Sequence, residues 1–304
     1  MPKTETGKKI TDKHFMLSNL KENQMAKVPI IGFIRYSCRA SFTKSDFFQP
    51  YYMDYRLGIF KNVTLKGFQE QTDMDFKIIL LHSENLLDKY KEIFEDIERD
   101  NPFLHNRYIP DSEIEGTDYI NAVESSVEHV EFWNGMAINF RIDNDDAPPR
   151  DFISRLKSFL KPDFYDYVIS FPNVSIIQRV QENKFLKQER YFPSNSIGLA
   201  YVTSKENYKT IMTLGDHGKI NQKHPMVLLP GRGGIQTING KNVMNTLYLG
   251  HVSSLSQNGI KVYLTENGYS VFDFKCLNIC KRRLVLDIII KVKNFLKKRK
   301  ALSK

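Results

Sequence analysis

The sequence predicts an α/β domain with a mostly parallel central sheet and helices on both faces. Three runs carry that expectation. VPIIGFIRYS (28–37), DFKIILLHS (75–83) and MAINFRID (136–143) are rich in β-branched and aromatic residues and read as strands buried on both faces. Segments of helical periodicity separate them, and strand–helix alternation favours parallel pairing through crossovers. The third run ends in consecutive acidic and amide side chains, Asp143 to Asp146, at the end of a strand where such sheets bind ligands.

Residues 1–27 are polar and weakly patterned and are expected to form an arm. Residues 52–69 repeat apolar side chains at helical spacing (Leu57, Phe60, Val63, Leu65, Phe68), and LLDKYKEIFEDIERD is a charged amphipathic helix. RYIPDSE reads as a short strand, 118–133 as helical, RDFISRLKSFL as an amphipathic helix and DFYDYVISF as a further strand. A helix is expected near Lys205–Leu214. The second half, with GDHGKINQKHP and the glycine-rich LPGRGGIQTING, reads as a site-forming elaboration of one domain spanning 28–275. Gly231, Gly233 and Gly234 suit either a lid that closes over a ligand or an ordinary flexible loop.

At 304 residues, 41% hydrophobic and 26% charged, the chain can bury a sizeable core. No apolar run reaches spanning length, and the N-terminal stretch lacks an apolar core behind its basic residues, so no secretory signal is expected. Cys38, Cys276 and Cys280 are too few for a disulfide framework and fit a reducing cytosol.

The net charge of +9 sits in one place. Residues 281–304 hold ten Lys and Arg against Asp287, and the other 280 residues balance at 34 of each sign. That balance argues against a nucleic-acid groove built into the domain. Within 276–304, helical spacing puts Leu284, Val285, Ile288, Ile289, Val292, Phe295 and Leu296 on one face and Lys291, Lys293, Lys297 and Lys298 on the other. Such a basic amphipathic helix suits either an anionic membrane surface or the domain's own surface.

On an extended segment Asp143 and Asp145 face the same way, roughly 6–7 Å apart at Cα. Two hard oxygen ligands, with room left for water and phosphate oxygens, suit Mg²⁺ or Mn²⁺. An EF-hand is excluded, because Ala147 and Pro148 occupy the positions that need an oxygen ligand and a glycine. A solvated turn is the alternative. Asp216 and His217, in LGDHGKIN, form a loop pair with the chemistry of a general base, or an ordinary turn after a helix.

FRIDNDDAPPRDFI resembles the RLDxDDAxxxDFV segment of a bacterial rhamnosyltransferase family, glycosyltransferases of the GT-A type. RLGIFKNVTLKGFQEQTDMDFKIILLHSE and GFIRYS resemble that family's first helix and first two strands, so the likeness runs in order over roughly residues 29–255. The resemblance implies a GT-A-like nucleotide-sugar-binding domain. It places Asp143 and Asp145 as ligands of Mn²⁺ or Mg²⁺, with Asp145 the direct one, and Asp146 beside the donor sugar or a metal-bound water. Arg141 would neutralise the motif or touch the diphosphate, and Arg35, Ser37 and Arg56 would lie near the nucleotide. His82 and Ser83 end the second strand on the same rim, and His251, in LYLGHVSS, is the implied third metal ligand.

The expected function is therefore metal-dependent transfer of a sugar from a nucleoside-diphosphate donor to a glycan or lipid-linked acceptor, in bacterial surface polysaccharide synthesis at the cytosolic face of the membrane. The alternatives are a non-catalytic carbohydrate- or nucleotide-binding protein on the same fold, and a sugar nucleotidyltransferase.

Overall fold

The computed structural model describes residues 27–38, 48–110, 117–239 and 251–280. Twelve strands run through these residues: β1 (Ile30–Arg35), β2 (Lys77–Ser83), β3 (Leu104–Ile109), β4 (Met136–Arg141), β5 (Asp146–Ala147), β6 (Val168–Ser170), β7 (Asn173–Gln181), β8 (Lys184–Tyr191), β9 (Leu199–Ser204), β10 (Met226–Leu228), β11 (Ile235–Ile238) and β12 (Val252–Ser256). They make two sheets. The first has seven strands in the order β10-β6-β9-β4-β1-β2-β3, and the second has five in the order β12-β8-β7-β11-β5.

In the first sheet β4, β1, β2 and β3 pair in parallel, as does β10 with β6, while β9 runs antiparallel between β4 and β6. The mostly parallel sheet expected from the sequence is therefore present. All seven residues of β2 are buried, which is why its apolar run does not alternate. One face carries Ile31, Phe33, Ile79 and Leu81 against Tyr119 and Val123 of the helix Thr117–Glu124. The other carries Ile34, Leu80 and Phe140 against Leu57, Phe68, Tyr90 and Phe94 from the helices Pro50–Ile59, Lys66–Gln69 and Asp88–Asp100. Phe140 fits there because Gly32 leaves room: a Cβ at Gly32 would come within 2.3 Å of the Phe140 ring.

The helical segment between β1 and β2 is continuous but changes pitch. Pro50 opens it with a φ suited to a first turn, and residues Phe60–Leu65 form a π-helical stretch before Lys66–Gln69 resumes the α form. The wide turn packs against β5, and Val63 and Ile59 share a core cluster with Ala147. Gly67 lies under the exit of the acidic segment, where a Cβ would stand 3.0 Å from Pro148.

Several expectations change. The second sheet was not anticipated. It gathers segments from 146 to 256, and apart from β7 its strands are short or half exposed, so long apolar runs do not mark them. No helix forms at 205–214. The Thr203 hydroxyl and the Asn139 side chain instead take the amides of Lys209 and Ile211 and hold that stretch in turns. The described body runs past 275 to Cys280, whose amide donates to the Arg179 carbonyl and whose side chain, like that of Leu277, is buried. The predicted arm up to residue 26 and the basic segment 281–304 lie outside the described residues. Among the described residues no helix is long and apolar enough to cross a membrane.

Candidate active site

The carboxyl ends of β1, β2 and β4 share one rim, since Phe33 pairs with Arg141 and Arg35 with Leu81 in parallel register. β9 enters the same rim antiparallel, with Leu199 opposite Arg141. At Arg141 the chain leaves β4 and turns rather than continuing extended: the Asp146 amide donates to the Asp143 carbonyl at 3.3 Å. The alternation expected of a strand survives inside this turn. Asp143 and Asp145 are half-buried, whereas Asn144 is 9% and Asp146 1% exposed. The Asn144 side-chain amide latches the turn to β1 by donating to the Arg35 carbonyl at 3.0 Å.

Each acid has a different setting. Asp143 accepts the Ser196 hydroxyl at 2.9 Å and lies 3.6 Å from the Arg141 guanidinium. Burial alone would raise its pKa, but Arg141, Arg35 and the Ser196 hydroxyl outweigh burial and hold it below the usual carboxylate range. Asp145 accepts the Asn239 side-chain amide at 3.1 Å, and its carbonyl takes the Thr237 hydroxyl at 2.7 Å. Burial and the charge of Asp143 push its pKa up to about 6, against the pull of Arg56. Asp146 is the extreme case. Neither carboxylate oxygen has a hydrogen-bond partner, and burial followed by repulsion from Asp145 and Asp143 drives its pKa well above the ordinary value. The Thr237 backbone amide acts in the opposite direction and is outweighed.

Asp143 and Asp145 offer hard oxygen ligands of the kind a divalent cation takes, and the more buried Asp146 beside them has no hydrogen-bond partner for its carboxylate. Among the described residues no three of His, Cys, Asp and Glu close a metal cage. The donor set thus fits a cation held by one or two carboxylates and completed by water and substrate oxygens, the habit of Mg²⁺.

His251 is not brought to this turn. Val252 on β12 lies in register with Gln188, Ile176, Gln236 and finally Asp146, which puts four strand spacings, about 19 Å of sheet, between the two edges. His251 is exposed at the far edge, and the expected third ligand is corrected on that ground.

The arginines do gather. Arg141 lies 3.6 Å from Asp143, the charge of Arg35 acts on the same acid, and the charge of Arg56 acts on Asp145, its guanidinium 4.9 Å from the Tyr36 ring centroid. The Arg141 side chain is 11% exposed, and its buried Nε has no hydrogen-bond partner.

Ser37, His82 and Ser83 reach the rim, but their side chains are buried beneath it. The Ser37 hydroxyl accepts the Ser83 amide and pairs with His82 Nδ1, while His82 Nε2 pairs with the Asn106 side-chain Oδ1 at 3.0 Å. Asn106 in turn donates to Glu98. Enclosed by Phe94, Tyr108 and Tyr36, the His82 imidazole is kept neutral, its pKa pushed down to about 3 by burial. These residues brace the ends of β1 and β2, so the expected direct contact with a nucleotide is corrected to a supporting role.

Asp216 and His217 divide as well. Asp216 caps the short helix His217–Gln222, accepting the Gly218 amide at 2.9 Å, and is exposed. The stretch before it climbs the face of β4 that carries Asn139, whose side chain holds Lys209 and Ile211, and two residues further along that face is Arg141. His217 lies within electrostatic reach of Arg141 and Asp143. Burial, then Arg141, lowers its pKa, with Asp143 and Asp216 opposing.

Ser196, Thr237, Asn239 and Tyr55 were not singled out in the sequence, being polar residues without motif spacing. Of the glycines in GRGGIQTING that could serve a lid, Gly233 and Gly234 are closely packed, while Gly231 has open space around it and a φ of +85°. A Cβ at Gly234 would meet Ile197 at 2.0 Å, and one at Gly233 would meet the Phe171 and Asn173 carbonyls at 2.5 Å. The stretch delivers Thr237 and Asn239 to Asp145.

With this geometry in place, residues 32–250 match the family described as "Putative rhamnosyl transferase". The chain belongs to this family. The match includes β4, the acidic turn and every strand that touches it, so the family assignment covers the candidate site. A search of curated proteins finds no match. Among solved structures the chain is similar to the S. aureus TarS 1–349 fragment in complex with UDP-GlcNAc, at 10% identity and a TM-score of 0.42, covering 72% of this chain and 61% of that one. It is also similar to the inositol-1-phosphate CTP transferase from T. maritima, at 14% identity and a TM-score of 0.33, covering 67% of this chain and 86% of that one. Both overlaps are partial, and membership rests on the family match.

Proposed function

We propose that this member of the rhamnosyl transferase family transfers a sugar from a nucleoside-diphosphate donor to a hydroxyl of a glycan or lipid-linked acceptor in the synthesis of a bacterial surface polysaccharide. The observation that carries the reading is the acidic turn: half-buried Asp143 and Asp145 above a buried, partnerless Asp146, at the carboxyl ends of parallel strands. Asp143 and Asp145 would hold Mn²⁺ or Mg²⁺, which when bound supplies positive charge against the leaving diphosphate. Arg35 and Arg141, whose charges act on Asp143, and Arg56, whose charge acts on Asp145, supply fixed cations for the same phosphates. Asp146 would sit under the donor, its raised pKa letting it give up a proton when a cation arrives.

His217, neutral at cytosolic pH and close to Asp143, takes the proton from the attacking acceptor hydroxyl. Asp216 lies 3.9 Å from its Nδ1 and stabilises the imidazolium that results. The basic amphipathic segment 281–304 supports docking on an anionic membrane surface, where a lipid-linked acceptor resides.

The test is a thermal-shift panel of nucleoside-diphosphate sugars with Mn²⁺, run on the wild type and on Asp145→Ala, because only ligands bound by the native state raise Tm. One donor class should stabilise the wild type and be turned over, and Asp145→Ala should lose both responses while keeping its own Tm. A fully active Asp145→Ala ends the reading. Loss of anionic-liposome binding on deletion of 281–304 tests the membrane part separately.

A further inference from the structure

We infer that Asn239 is a positioning residue that sets the metal-binding orientation of Asp145, and that Tyr55 fixes Asn239 in turn. This rests on the reading of Asp143 and Asp145 as divalent-cation ligands. Asn239 is 3% exposed, and its Nδ2 donates to Asp145 Oδ2 at 3.1 Å. Two residues earlier, the Thr237 hydroxyl donates to the Asp145 carbonyl at 2.7 Å, so one short segment holds both the backbone and the carboxylate of the same acid. That segment is itself anchored, because β11 pairs with β5 through Gln236 and Asp146. Tyr55 closes the arrangement. Its hydroxyl donates to the Asn239 carbonyl at 2.9 Å and accepts the Asn278 amide at 3.3 Å.

Segments at 278, 55 and 237–239 are thus linked in series behind one carboxylate, which Asn239 alone of them touches. An acid on a turn has free rotation about two bonds, and a donor on one oxygen removes it. Such outer partners orient ligating carboxylates and are worth about 10–100-fold in metal affinity. Asp145 needs that support more than most, since Asp143 and Asp146 repel it. The Asn239 amide opposes that repulsion without adding a positive charge that would itself repel a cation.

The test is a Mn²⁺ titration of the donor-free protein, followed by electron paramagnetic resonance, on the wild type, Asp145→Ala, Asn239→Ala, Asn239→Asp and Tyr55→Phe, each with its Tm. Asn239→Ala should weaken Mn²⁺ binding by about 10–100-fold, and Tyr55→Phe should weaken it less, in the same direction. At saturating Mn²⁺, Asn239→Ala should recover most of kcat while the Mn²⁺ concentration for half-activation stays raised, a split that a general folding defect would not produce. Asn239→Asp should be worse than Asn239→Ala, because it replaces a donor with a like charge.

If Asp145→Ala loses Mn²⁺ while Asn239→Ala and Tyr55→Phe bind it as the wild type does, the positioning role is overturned and the metal reading stands. If Asp145→Ala binds Mn²⁺ as the wild type does, the metal reading falls and the positioning role with it. Should Asn239→Ala fail to fold, Tyr55→Phe, which removes a single oxygen, decides the question alone.

Discussion

Ser196 donates its hydroxyl to Asp143 at 2.9 Å, joining the loop that leads into β9 to the turn that leaves β4. The two residues are 53 apart in sequence and meet because β9 enters the sheet antiparallel to β4, with its first residue opposite the last of β4. Asp143 therefore carries a neutral donor on one side and Arg141 and Arg35 around it.

Removing that donor should be measurable but not fatal. A hydrogen bond to a charged group contributes about 1.5–3 kcal/mol, and the half-exposed position of Asp143 lets water replace part of it. Ser196→Ala should lower stability by about 1 kcal/mol and raise the Mn²⁺ requirement of the reaction, while Ser196→Thr should retain both. Chemical unfolding and a metal-activation curve check the two effects.

Acid should weaken the fold through His82. Its folded pKa is near 3 against an ordinary 6.5, so the unfolded chain binds a proton that the folded chain refuses across that window. Stability is then fully present above pH 6.5 and is lost as pH falls, at up to about 1.4 kcal/mol per pH unit. His82→Gln, which can still bond Ser37 and Asn106, should flatten the dependence. Urea midpoints measured at neutral pH and at about pH 5 for both proteins test this, and parallel losses in the two would count against it.

Asp146 should behave in the opposite sense. Its folded pKa is raised, so the folded chain holds a proton that the unfolded chain gives up, and the stability this contributes is present at low pH and lost as pH rises through the raised value. Without divalent cations, Asp146→Asn should therefore be more stable than the wild type at about pH 8, by more than about 1 kcal/mol, and should show little advantage at about pH 4. Sugar transfer should fall sharply in the same variant. Greater stability with less activity is the behaviour of a residue kept for function.

The first half of the fold was legible because β1, β2 and β4 bury both faces and so print continuous apolar runs. The acidic turn was legible because its residues are adjacent in sequence. What holds the turn was not. Asn239 reaches Asp145 from 94 residues away and Ser196 reaches Asp143 from 53, and a lone Asn or Ser carries no signal of its partner. Local pattern also misled at 205–214, where helical spacing gave way to side-chain bonds from Thr203 and Asn139. At His251 the error had a different source: proximity was inferred from a resembling segment, while the edge position of β12 in the second sheet separates it from β5. Ser37 and His82 were assigned to the correct rim, but strand periodicity does not say that two polar residues will satisfy each other underneath it.

His217 offers the sharpest test of the chemistry. It is a base within electrostatic reach of Asp143, with its pKa depressed by burial and Arg141 while Asp143 and Asp216 restrain the shift. A depressed pKa keeps the imidazole unprotonated at neutral pH, the form that accepts a proton from an acceptor hydroxyl. Transfer should lose an acid limb in its kcat–pH profile, with a midpoint below 6.5, when His217 is replaced. His217→Ala should lower kcat by about 10²–10⁴-fold and leave donor-induced thermal stabilisation intact, because the proposed donor contacts are the arginines and the acidic turn. His217→Gln, which preserves size and hydrogen bonding but not basicity, should fare no better. If His217→Gln transfers sugar at the wild-type rate, the base lies elsewhere on the rim.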